Sequence, residues 1–238
     1  MEEERAREIL RRGDADVLGR MPWSSNATFL VNLTLDNDEL LANYKPQRGE
    51  RPLWDFPRGT LCHREVASFE VSRALGWDLV PDTVLRDGPA GIGMMQRFVE
   101  HDPDEHYFTL LADHDAVFRR MAALDVVINN TDRKGGHCLR ALDDGHIFGI
   151  DHGLSFHVQW KLRTVIWDFA GDPIPPDICT DLRRLMDDVC GGSLGGQLRE
   201  ILDRFELDAL RARTQHLLAT GRYPEADRDY HSYPWPTI

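Results

Sequence analysis

Apolar positions come in short bursts through the first hundred residues and at spacings of three and four thereafter. This contrast divides the chain into a strand-rich part and a helical part. Glu2 to Arg12 reads as an amphipathic helix broken by Gly13-Asp14. A polar turn, Met21 to Asn26, feeds a strand over Thr28 to Leu35, and Leu40 to Lys45 is its returning partner. Gln47 to Gly59 is rich in Gly, Pro and Arg and reads as a loop, which Trp54 and Phe56 are expected to pack down. His63 to Leu75 has the spacing of a helix, with Val66, Phe69 and Ala74 on its core face and Gly76 at the C′ position. Two more strands are expected over Asp78 to Leu85 and Gly93 to Val99, turned by Asp87-Gly88. The run His101-Asp102-Pro103-Asp104 then changes the composition, as a hinge between lobes would.

Val117, Met121, Leu124 and Ile128 predict a helix ending near Asn129, followed by a loop to Gly136. His137 to Leu142 and His146 to Ile150 are β-like, and Asp144-Gly145 between them is a hairpin signal because it tolerates positive φ. Such a hairpin returns Asp151 to the neighbourhood of Asp132 and His137. Three helices are marked by Ile178, Leu182, Leu185 and Val189; by Leu194, Leu198, Ile201 and Phe205; and by Leu207, Leu210, Leu217 and Leu218, stopped by Gly221. The tail from Arg222 has no helical period and is expected to wrap the surface or be partly disordered.

The 238 residues, 42% hydrophobic and 29% charged, describe an ordinary globular chain. No apolar run is long enough to span a bilayer and the N-terminus is too charged for a signal peptide, so a cytoplasmic protein without integral membrane contact is expected. A formal net charge of −12 argues against nucleic-acid partners and against adsorption to anionic lipid. Cys62, Cys138, Cys179 and Cys190 show no CxxC spacing and read as free thiols.

The polar run from Asp132 to Asp151 is where chemistry is expected. Phosphoryl transfer needs an acidic group at the attacking hydroxyl and ligands for a divalent ion carrying the nucleotide phosphates. Protein kinases supply an Asp and an Asn five residues apart and then an Asp beyond a hairpin. Asp132 and His137 hold that five-residue spacing, and Asp151 follows the hairpin. A solvated Asp-Arg-Lys-Gly-Gly loop and an Asp-His-Gly turn would have the same composition. Similarly, Ser24, Ser25 and Asn26 form either a phosphate-cradling turn or an ordinary hairpin turn, and Lys45 is either a phosphate contact or a solvated edge residue.

Six segments in register, Ala42 to Pro46, Arg64 to Phe69, Leu79 to Val84, Gln96 to Val99, Asn130 to Arg133 and Ile150 to Phe156, resemble the phosphatidylinositol 3-/4-kinase family. The type II phosphatidylinositol 4-kinases are the nearest branch, and the chain looks like a compact bacterial-type member. The resemblance implies a two-lobed α+β protein-kinase-like fold that binds ATP and Mg²⁺ or Mn²⁺. It places Ser24, Ser25 and Asn26 in the phosphate turn, Lys45 on the phosphates, Glu65 orienting Lys45, and Gln96, Arg97, Phe98 and Val99 along adenine. Asp132 takes the catalytic-loop position and Asp151 the metal position. The family has Asn where this chain has His137, a ligand suited to Mn²⁺ more than to Mg²⁺. Val158 to Phe169, with Trp160, Lys161, Arg163 and Trp167, occupies the place of an activation or substrate loop.

The expected organisation is one kinase-like unit, an N-lobe over residues 1–99 and a helical C-lobe over 100–238. The expected reaction moves the γ-phosphate to a hydroxyl of a protein or soluble small molecule. A silent nucleotide-binding regulator, a phosphoinositide kinase and a kinase fold turned to nucleotidyl transfer are the alternatives.

Overall fold

Met94 and Met95 are neighbours in sequence and face opposite sides of one sheet, as strand geometry demands. The computed structural model describes residues 3–21, 26–227 and 231–238. Five antiparallel strands, β1 (Asp14–Arg20), β2 (Phe29–Leu35), β3 (Asp38–Pro46), β4 (Thr83–Gly88) and β5 (Gly91–Arg97), lie in the order β1-β2-β3-β5-β4. Met95 joins Val31, Leu33, Ala42 and Tyr44 beneath helix α1 (Glu3–Arg12), whose Ile9 and Leu10 are fully buried. Met94 faces the other way, against Cys62 and Val66 of helix α2 (Leu61–Leu75). Gly93 keeps β5 close to β3, because a Cβ there would lie 2.5 Å from the Lys45 carbonyl oxygen.

The larger lobe is helical. After a short helix α3 (Tyr107–Leu110), α4 (Asp115–Ile128) forms its centre, and α5 (Pro176–Gly191), α6 (Ser193–Arg199) and α7 (Arg204–Thr220) surround it. A two-stranded hairpin, β6 (Cys138–Arg140) and β7 (Ile147–Gly149), sits between α4 and α5 in the chain. α7 begins with a capping box in which Asp203 accepts from the Phe205 and Glu206 amides, and ends at Gly221 with φ 61°. Among the described residues no helix is long and apolar enough to cross a membrane. This is the two-lobed α+β kinase-like architecture.

Five local expectations need correction. β1 was not expected at all: nearly every residue is exposed, so an edge strand here carries no alternation of apolar and polar positions. The strand predicted from Asp78 starts five residues later, at Thr83, because Asp78 takes a left-handed φ of 50° and Leu79 and Val80 turn into the large-lobe core. The β4–β5 turn tip is Pro89-Ala90, since Gly88 and Gly91 are already paired. Phe56 packs as predicted, but Trp54 is 92% exposed, with Lys161 Nζ 4.9 Å from its ring centre. Phe205, taken for part of the second stripe, opens α7 and is exposed. The described tail residues 231–238 wrap the large lobe: Ser232 O accepts from the Thr164 amide and Thr237 O from the Gly135 amide at 2.7 Å.

Candidate active site

Alternation along β3 sends Tyr44 to the α1 side and Lys45 to the cleft. Lys45 Nζ lies 2.6 Å from Glu65 Oε1 and 2.8 Å from Asp151 Oδ1. The other oxygen of Glu65 accepts the His152 amide at 2.8 Å, so one buried carboxylate holds both the β3 lysine and the segment that carries Asp151. Burial works against charge on Lys45, yet the two carboxylates outweigh it and raise its pKa. Burial raises the Glu65 carboxyl, with Lys45 pulling against it. Asp151 is held below the usual carboxylate range, chiefly by Lys45. The residue before Glu65 fixes the helix: buried Arg64 is ion-paired with Glu206 of α7 and donates to Ser155 O at 2.6 Å.

The catalytic-loop position is built from the end of α4. Asn129 caps that helix at φ 53° and donates from Nδ2 to His157 O and Gln159 O at 2.9 and 2.7 Å. Asn130 donates to Asp125 Oδ1 at 3.0 Å and accepts the Asp132 amide at 3.0 Å. Arg133, fully buried, pairs with Asp125 at 2.9 Å and reaches Ile150 O at 3.1 Å and His152 Nε2 at 2.6 Å. These contacts leave the Asp132 carboxylate at the cleft, where its charge partner is Lys134 Nζ at 3.0 Å. Burial raises the Asp132 pKa and Lys134 partly offsets that.

The β6–β7 hairpin does bring Asp151 back to His137, since the Ile150 amide donates to His137 O at 3.0 Å. His137 Nε2 is 3.5 Å from Asp151 Oδ2. Asp151 itself sits at φ 61°, a left-handed conformation that Asp tolerates better than most residues. Burial pulls His137 down to about 4, so the imidazole is neutral at pH 7; its Nδ1 accepts from the Lys134 amide at 3.5 Å and its Nε2 faces Asp151. Among the described residues no group of three His, Cys, Asp or Glu side chains gathers for a metal. A neutral imidazole nitrogen beside an ionised carboxylate nevertheless fits a divalent ion whose remaining ligands are nucleotide phosphate oxygens.

A cavity between the lobes is lined by Asn26, Lys45, Glu65, Asp132 and Asp151, together with Glu50 and Arg51 from the loop after β3. Asn26 Oδ1 accepts the Arg51 amide at 2.9 Å, while Ser24 and Ser25 lie outside the described residues. Gln96, Arg97, Phe98 and Val99 do not line this cavity. Two of their amides are engaged, Arg97 N with Asp82 O at 2.8 Å and Phe98 N with Leu41 O at 2.9 Å, and Val99 O faces His101 Nδ1 at 2.9 Å. β5 is an interior strand, so its backbone groups are largely spent on neighbours. Sequence reasoning missed Asp125, Arg133, Glu50 and Arg51. Asp125 alone left a signal, a charge within the apolar stretch Ala122–Ile128.

A family model described as phosphatidylinositol 3- and 4-kinase matches residues 83–191, which contain Asp132, His137 and Asp151. The chain carries a phosphatidylinositol 3-/4-kinase-like domain over these residues and is a kinase. Protein Rv2133c of Mycobacterium tuberculosis is a full-length relative, 42% identical over 265 residues that cover 97% of this chain and 94% of the relative. Among solved structures, the Golgi casein kinase with Mn/ADP bound superposes with a TM-score of 0.58 at 14% identity, covering 99% of this chain and 80% of that one. The Helicobacter pylori proinflammatory kinase CtkA gives 0.54 at 11% identity, over 90% of this chain and 94% of that one. Hydra Fam20 with sugar gives 0.53 at 13% identity, over 90% and 87%. At such identities these likenesses speak for the fold alone.

Proposed function

We propose that this kinase moves the γ-phosphate of ATP to a hydroxyl of a protein or a soluble small molecule, with a divalent ion as cofactor. The observation that carries this reading is the grip of Lys45 on Glu65 and Asp151 across the cleft. A divalent ion held by Asp151 and His137 would supply charge neutralisation to the β- and γ-phosphates. Lys45 offers its ammonium to the α- and β-phosphates, and Glu65 keeps that ammonium in place. Asp132 accepts a hydrogen bond from the acceptor hydroxyl and aligns it for attack. The phosphate turn is assigned to Ser24, Ser25 and Asn26, and adenine to the Gln96–Val99 strand, on the family resemblance. Placement in the type II phosphatidylinositol 4-kinase branch rests on the same six motifs. The net charge of −12 favours a non-lipid acceptor over one held in an anionic bilayer.

A silent nucleotide-binding regulator is the second reading, favoured by one observation: a buried neutral histidine stands where the family has an oxygen ligand. Phosphorus NMR of ATP incubated with the protein and Mn²⁺ separates the readings. The proposed function predicts slow formation of ADP that an Asp132→Asn variant loses. Pyrophosphate release would mean nucleotidyl transfer, and unchanged ATP in the presence of a screened set of acceptors would mean a silent fold.

A further inference from the structure

The segment His231 to Ile238 touches both stretches of chain that frame Asp132. Ser232 O accepts the Thr164 amide and the Trp167 indole Nε1, each at 3.1 Å, and His231 O accepts from Arg163 Nε at 3.1 Å. Burial alternates along it, with Ser232 and Pro234 inside and His231, Tyr233 and Trp235 outside, as in an extended chain laid on a surface. The stretch it covers is itself paired with the segment carrying Asp132: Arg133 N donates to Arg163 O at 3.0 Å and Val165 N to Arg133 O at 3.1 Å. At its far end Thr237 O accepts the Gly135 amide at 2.7 Å. Residues 231–238 therefore clip the two stretches together.

Two adjacent glycines, Gly135 and Gly136, lie between Asp132 and His137 and leave that backbone little restrained by itself. A Cβ on Gly135 would lie 3.1 Å from the Phe108 ring and 3.3 Å from Thr237 O, so glycine is what admits the clip at this distance. The preceding residue, Lys134, is the charge partner of Asp132 at 3.0 Å. Holding Gly135 restrains the backbone from which Lys134 reaches that carboxylate. We propose that residues 231–238 are a positioning element, which keeps Lys134 and Asp132 in the arrangement that aligns the acceptor, and that release of the segment lowers turnover while the nucleotide still binds. The inference rests on the reading of Asp132 as the group that aligns the acceptor. Its leverage is that of geometry, since a misplacement of about 1 Å can cost roughly a hundredfold in rate.

The test is a full-length variant, Ser232→Asp with Pro234→Asp, which puts two carboxylates into buried positions and detaches the segment. Amide exchange read by mass spectrometry should quicken by about tenfold or more in fragments containing Gly135 and Thr164, while α4 and α7 keep their protection. ADP formation from ATP and Mn²⁺ should fall by about tenfold or more, with the ATP dissociation constant within about threefold of wild type. A synthetic peptide of residues 231–238, added in trans, should restore both protection and rate, which a general loss of packing would not allow. Three results would overturn the proposal: a wild-type or faster rate with Gly135 exchanging freely, a lost rate that the peptide does not restore, or undiminished protection of Gly135 in the variant, because these contacts would then not hold the segment. Absence of ADP formation by the wild type would sink the proposed function together with this inference, whereas a wild-type rate shared by the variant would sink this inference alone.

Discussion

Glu65 and Lys45 meet at 2.6 Å, and the second oxygen of the same carboxylate takes the amide of His152. One side chain on α2 thereby sets the position of Lys45 and of the residue following Asp151. Its neighbour Arg64 anchors α2 to α7, so the helix is fixed to the large lobe when the lysine is engaged. Replacing Glu65 by Gln removes the charge but keeps the shape. Turnover should fall by roughly tenfold to a hundredfold while the nucleotide dissociation constant changes much less. Steady-state kinetics beside equilibrium titration measure the two; equal losses would make Glu65 a merely structural residue.

Asp125 and Arg133 form a fully buried ion pair that holds the segment carrying Asp132. Asp125→Ala strands the guanidinium, and its cost is expected to be roughly 3–5 kcal/mol. Urea unfolding of the single variants and the double variant should show strong non-additivity, since the second substitution removes the charge stranded by the first. Additive losses would mean that each residue acts through other partners.

What could be read in the sequence follows from what each element shows on its surface. α1 and the strands β2 and β3 have one buried face and their periods were legible, whereas α2 and α4 are buried nearly all round and were marked by their apolar residues and their C-terminal caps Gly76 and Asn129. β1 is exposed nearly throughout and left no period to find. Asp132, His137 and Asp151 were legible because a hairpin with an Asp-Gly turn returns the chain to its start. The Arg133 network was not, because an arginine in a polar loop looks solvated until the fold closes over it. Leu79 and Val80 show the reverse error: two apolar residues read as strand serve the large-lobe core instead.

His137 links stability to pH. Burial lowers its pKa to about 4 in the folded protein against about 6.5 in the unfolded chain. Between those values the unfolded state binds a proton that the folded state refuses, so this contribution is whole above pH 6.5 and is lost as pH falls toward 4. The difference corresponds to roughly 3 kcal/mol. Chelator-treated wild type and His137→Asn, unfolded in urea at pH 5 and pH 7.5, should differ in pH slope, with the variant flatter; parallel slopes would place the imidazole in solvent.

The same residue sets metal preference. With an imidazole nitrogen beside Asp151, ATP-dependent thermal stabilisation should be larger with Mn²⁺ than with Mg²⁺ at pH 8. His137→Asn substitutes an amide oxygen and should narrow that preference by roughly tenfold in affinity. Identical preference in both proteins would remove His137 from the metal site and leave Asp151 to hold the ion with the phosphates.

In the proposed function, the contact between Lys45 and Asp151 marks the nucleotide site. Calorimetric titration with ATP and Mn²⁺ tests it most directly, on wild type, Lys45→Met and Asp151→Asn. A charge-assisted hydrogen bond is worth roughly 1.5–3 kcal/mol, so each variant should bind at least about tenfold more weakly than the single wild-type site. Wild-type affinity in both variants would contradict the account and put the nucleotide elsewhere.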